Sequence, residues 1–165
     1  MFDVLVFVYE HYWHGDACPE LPQLERKLSA QGFEADEIHD ALVWLDGLNV
    51  AAQSTSLTDP PSAGPTVWSA AMQSPSSMRV YSVAEQDQLG AACLGFVSFL
   101  ESAGVLPTPM REIVIERAMA ASSSRPVSLD DLKIIVLMVY WSLDQEPDAL
   151  VLDELCDPGE GRLAH

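Results

Sequence analysis

The chain has 165 residues, is 48% hydrophobic, and carries 25 acidic against 8 basic residues, for a formal net charge of −17. That is enough apolar material for one core, or for two small lobes that share one. Binding to nucleic acid depends on cations that neutralise phosphates, and here Arg26, Lys27, Arg79, Arg111, Arg117, Arg125, Lys133 and Arg162 are scattered, with only Arg26 and Lys27 adjacent. The charge therefore argues against DNA, RNA and anionic membrane surfaces as direct partners. It leaves two readings open: negative charge kept for solubility, or an acidic face made for a basic partner.

Residues 2–13, FDVLVFVYEHYW, are apolar on most faces and predict a helix ending before Gly15, although the β-branched residues would also permit a strand. Leu21, Leu24 and Leu28 recur at helical spacing, and Gly32 suits the position just past a helix end. Residues 35–48 then place Ile38, Ala41, Leu42, Leu45 and Leu48 on one stripe. On the same wheel Asp36, Asp40 and Val43 lie opposite the stripe, with His39 and Asp46 beside them and Trp44 at the stripe's edge. The order helix, helix–turn–helix, a short extended stretch near NVAAQ, a loop and a strand over 77–82 is that of a winged helix with an overgrown wing. In that strand, SMRVYS, Met78 and Val80 alternate with Arg79 and Tyr81, so one pair turns inward and the other outward. Arg79 then either pairs with one of the many acids or joins Tyr81 in a docking surface.

Residues 51–76 are rich in Pro, Ser, Ala and Thr and read as a long exposed loop. The second half is more plainly helical. Ser82 and Glu85 fit a capping box before Leu89, Cys93, Phe96 and Leu100, and Gly104 ends that helix. Thr108 is placed as the N-cap with Pro109 at the first helical position, leading into Met110, Ile113, Val114, Arg117 and Ala118. Ser128, followed by Asp130 and Asp131, caps LDDLKIIVLMVYWSL, which is apolar almost all round and predicts the central helix. Residues 148–156 suggest a short acidic last helix before a frayed tail. The expected architecture is thus mainly α: a three-helix, winged-helix-like N-terminal lobe with a short strand or hairpin (1–50), the loop (51–76), a strand with a C-terminal three-helix lobe (77–145), and a short acidic helix and tail (146–165).

Motifs for chemistry are sparse. His11, His14 and Asp16 stand near one another, but with no second cysteine beside Cys18 and no HExxH spacing they read first as an exposed helix end. Cys93 falls on an apolar stripe and reads as a small core residue, and Cys156 lies among acids that would not activate a thiol. There is no GxSxG elbow and no phosphate-cradling glycine loop. No cofactor is expected and no enzyme activity. Cys18, Cys93 and Cys156 are few and far apart, which suits reduced thiols and a cytoplasmic protein. No basic segment precedes VLVFVY, and the longest apolar run, IIVLMVYW, is too short to span a bilayer.

The blocks MFDVL (1–5), ALVWLDGL (41–48), SMRVYS (77–82), REIVIERAMA (111–120) and SLDDLK (128–133), together with the terminal His165, resemble the Smg family of bacterial proteins, whose function is unknown. The resemblance covers nearly the whole chain in order. The Pro/Ser-rich stretch is more biased than the family pattern, and Ile134 stands where an aromatic residue is expected. It implies a cytoplasmic, mostly helical protein and brings no reaction or ligand residues. Family members are often encoded beside the DNA-processing protein DprA, which suggests a partner in DNA handling. The leading expectation is a non-enzymatic interaction module that docks onto a basic protein through Asp36, His39, Asp40, Val43, Trp44 and Asp46, with Arg79 and Tyr81 as further candidates. The alternatives are direct nucleic-acid binding through the winged-helix-like lobe and a metal-dependent enzyme built on His11, His14 and Asp16.

Overall fold

The computed structural model describes residues 1–12, 21–56, 79–121 and 125–145. Among these, the chain forms α1 (Phe2–Tyr12), α2 (Leu21–Gln31), α3 (Ala35–Ser56), α4 (Val83–Ser102), α5 (Thr108–Ala120) and α6 (Leu129–Ser142), and no strand. The mainly helical expectation holds, and the short strand does not.

α6 is the centre. Its residues from Leu132 to Tyr140 are buried on nearly every face except Ile134, and α1, α3, α4 and α5 all pack on it. Ser128 starts the helix with a capping box, its hydroxyl accepting from the Asp131 amide while the Asp131 carboxylate accepts from the Ser128 amide. α1 lays Val4, Leu5 and Val8 into the same core. Each such side chain stabilises by roughly 1.5–3 kcal/mol when fully buried. α2 packs on α3 through Leu24 and Leu28 and stops at Gly32, whose positive φ of 95° lets its amide reach the Ser29 carbonyl while Phe33 N–H reaches Leu28.

Two segments depart from the sequence reading. The stretch NVAAQ is helical, and α3 runs on to Ser56, so the loop expected from residue 51 has its first six residues in a helix. The reason is that Ala51 and Ala52 are buried, extending the stripe of Ala41, Trp44, Leu45 and Leu48 by one more turn. Residues 79–82 pair with no strand, so the wing of a winged helix is not formed among the described residues. The period-2 alternation survives with a different purpose: Arg79 and Tyr81 turn onto the helices, and Val80 is 86% exposed. A smaller correction concerns α5, which is capped at Pro107 without a side-chain bond, leaving Thr108 as its first helical residue. The expected helix at 148–156 lies outside the described residues.

One cluster of buried residues draws on all six helices. The expected N-terminal and C-terminal lobes thus share one core, with α1 and α3 resting directly on α6.

Candidate functional site

α3 is two-faced. Ile38, Ala41, Leu45 and Leu48 are buried, while Asp36, His39, Asp40, Val43 and Asp46 are exposed. The helix carries no Lys or Arg over its 22 residues. Val43 and Val50, two helical turns apart on this acidic side, are 60% and 63% exposed.

Beside Val43, between α3 and the C-terminal end of α5, lies a hollow of about 360 Å³. His39, Asp40, Val43 and Trp44 line it from α3. Arg117, Ala120, Ala121 and Met1 close the other sides. Trp44 is only 3% exposed, and its Nε1–H donates to the Arg117 carbonyl at 2.9 Å, which fixes the indole as one wall. The Arg117 guanidinium lies against Gly47, where any side chain would collide with it, and its Nη2 donates to Glu116 at 2.8 Å. Its Nε is buried and has no hydrogen-bond partner among the described residues. The Met1 amino group reaches Glu37 Oε1 at 3.5 Å.

A second charged cluster joins the start of α4 to α5. Arg79 donates to both oxygens of Glu85 and of Glu112, at 2.8–3.3 Å. Its guanidinium also covers the Tyr81 ring at 4.7 Å. Glu112 accepts in turn from Arg111, which also pairs with Glu101. Hydrogen bonding to Arg79, then to the Ser82 amide, brings the Glu85 pKa from its ordinary 4.5 down to about 2. At Glu112 burial acts to raise the pKa, but the hydrogen bonds from Arg79 and Arg111 outweigh it, and the net shift is downward. A carboxylate with a folded pKa below its unfolded one contributes stability that is present above about pH 4.5 and lost as the pH falls toward 2. The thermal midpoint of the protein is therefore expected to drop across that window. Glu85→Gln, already without the pair at neutral pH, should show a shallower drop, and parallel curves for the two proteins would contradict this assignment.

The chain matches, over residues 1–165, the family model described as "Protein of unknown function (DUF494)". It is 59% identical to the Protein Smg homolog of Leptothrix cholodnii and 59% identical to that of Methylibium petroleiphilum, over 165 residues and 100% of both chains in each case. It is 48% identical to the Protein Smg homolog of Bordetella avium over 166 residues, again 100% of each chain. The chain belongs to the Smg family. No solved structure matches it.

On this Smg-family chain, four of the residues expected to dock a partner (His39, Asp40, Val43 and Trp44) meet at one hollow, with Asp36 and Asp46 on the same exposed side of α3. Trp44 takes part as a buried wall, held by the Arg117 carbonyl. Arg79 and Tyr81 belong to the other cluster, where Arg79 has found acids to pair with, as one of its two readings had it. Arg117, Ala120 and Gly47 were missed as site residues. A signal for the first was present, since Arg117 falls among Met110, Ile113, Val114 and Ala118 on the inward side of α5, where an arginine needs a reason.

His11 turns its Nδ1 to the Phe7 carbonyl at 2.9 Å and stacks on the Phe7 ring, while His14 and Asp16 lie outside the described residues. No group of three or more His, Cys, Asp or Glu that could hold a metal occurs among the described residues. Cys93 is buried, with its Sγ 3.4 Å from the Val127 carbonyl, and burial, then the charge of Asp131, pushes its thiol pKa up. No helix among the described residues is long and apolar enough to cross a membrane.

Proposed function

We propose that the chain is a non-enzymatic, cytoplasmic docking module whose α3 face receives a basic protein, one that itself handles DNA. The observation that carries this reading is the composition of the exposed side of α3. Asp36, Asp40 and Asp46 are exposed there without an ion pair among the described residues, alongside exposed Val43 and Val50. An interface combines an apolar centre with a charged rim, and Val43 and Val50 among the three aspartates make that combination. α2, the Gly32 turn and α3 keep the order of a helix–turn–helix, whose second helix in DNA readers lies in the major groove. Here that helix presents acids where base readers present Arg, Asn or Gln, so it suits a partner with the opposite charge.

Affinity purification from a lysate of the encoding organism, with the wild type and an Asp36→Lys/Asp40→Lys variant as baits, tests the reading. The wild type is expected to recover a basic protein that the variant loses and that elutes at raised salt. Recovery of the same proteins by both baits would remove α3 as the docking face.

A further inference from the structure

We infer that the hollow between α3 and α5 is the anchor pocket for one apolar side chain of a basic amphipathic helix. This rests on the reading of α3 as a docking face and adds to it the form of the partner. Charge alone would make any cationic segment a partner, but the hollow adds a geometric demand. Its walls are apolar at Val43, Trp44 and Ala120 and polar at His39, Asp40 and Arg117, and its volume of about 360 Å³, open to solvent on one side, has ample room for one large apolar side chain. The Trp44 wall is already locked by its hydrogen bond to the Arg117 carbonyl, so filling the hollow orders little that was free.

The one guanidinium at the hollow, that of Arg117, is offset by Glu116 at 2.8 Å, and Asp40 stands on the rim. Asp36, Asp40 and Asp46 on the surrounding face of α3 disfavour an anionic anchor. Asp36 and Asp46 flank the hollow along α3, ten residues apart, or about 15 Å at the helical rise of 1.5 Å per residue. A partner helix of about three turns spans that distance, with its apolar stripe on the hollow and its cations at both ends. Strand addition to a sheet edge is closed to a partner here, since the described residues contain no strand.

The test uses the full-length protein and two synthetic peptides of about 18 residues with one Lys/Leu composition, the first with leucines at i, i+3, i+4 and i+7, the second scrambled to destroy that stripe. The striped peptide is expected to bind about tenfold more tightly than the scrambled one, the effect of burying one large apolar side chain. Ala120→Trp, which fills the hollow from an exposed position, should abolish that preference and leave the weaker binding of both peptides in place. Val43→Ser, which strips a wall without changing charge, should reduce the preference in the same direction. Asp36→Asn/Asp40→Asn should weaken both peptides alike. Equal affinity of the two peptides, or a preference that survives both Ala120→Trp and Val43→Ser, overturns the anchor pocket and leaves the acidic docking face standing. Failure of either peptide to bind, or binding indifferent to Asp36→Asn/Asp40→Asn, overturns the docking face and the pocket with it.

Discussion

Gly90→Ala will destabilise the protein by about 2 kcal/mol, while Gly95→Ala, further along the same helix, will stabilise it by roughly 0.5–1 kcal/mol. The two glycines sit in α4 and have open space where a Cβ would go, so crowding does not separate them. Backbone conformation does. Gly90 has φ 66° and ψ 171°, a region essentially closed to residues with a side chain, and the helix breaks there. Gly95 takes ordinary helical angles on an exposed face, where glycine only costs backbone entropy relative to alanine.

The break at Gly90 has a structural purpose. Beside the break, the carbonyl of Gln88 accepts from Val127 N–H at 2.9 Å. Gln88 Nε2 donates to the Arg125 carbonyl, and Cys93 Sγ lies against the Val127 carbonyl, so the segment leading into α6 is tied to α4 at this point. An alanine either holds the strained angles or straightens the helix and loses these bonds, and both routes cost stability. Urea denaturation of the two variants and the wild type decides it through the midpoints at constant slope. A Gly90→Ala midpoint equal to the wild type's would show that the break is not required.

This break also marks where the sequence stops being readable. The spacing of Leu89, Cys93 and Leu100 announces a helix, and the capping box at Ser82 and Glu85 announces its start, both found as expected. A glycine inside an apolar stripe gives no local sign that the backbone turns positive there, because that is decided by the segment packed against it. The end of α3 failed for the opposite reason. Ala51 and Ala52 do continue the stripe, but the Ser- and Pro-rich composition that follows outweighs the signal of two alanines. SMRVYS misled through its β-branched and aromatic residues, since alternation reports which side chains turn inward and says nothing of whether a strand lies alongside. For the site, the acids of α3 were legible because a helical wheel orders them. The hollow was not, because Arg117, Ala120 and Ala121 in its wall come from the end of α5, far along the chain, and no periodicity within α3 reveals what crosses it.

The second large effect is expected at the buried end of the ion-pair chain. Arg111 is 4% exposed, and its charge is met by Glu101 and Glu112. Removing both carboxylates as Glu101→Gln/Glu112→Gln leaves a guanidinium inside the fold without a counter-charge, a change that costs roughly 3–5 kcal/mol for a fully buried pair. The cost here falls below that range, at about 2 kcal/mol, because both glutamates are more than a third exposed and water takes over part of their role. Glu112 also holds Arg79, so Glu112→Gln alone should cost more than Glu101→Gln alone, and the two should not add. The decisive comparison is a triple variant with Arg111→Met. Methionine fills much of the same volume without a charge to satisfy, so the triple should recover most of the stability that the double lost. That recovery distinguishes a stranded charge from a loss of packing: if the cost came from packing around the glutamates, adding Arg111→Met would lower the denaturation midpoint further, and the chain Arg79–Glu112–Arg111–Glu101 would have to be read as surface decoration over an independent core.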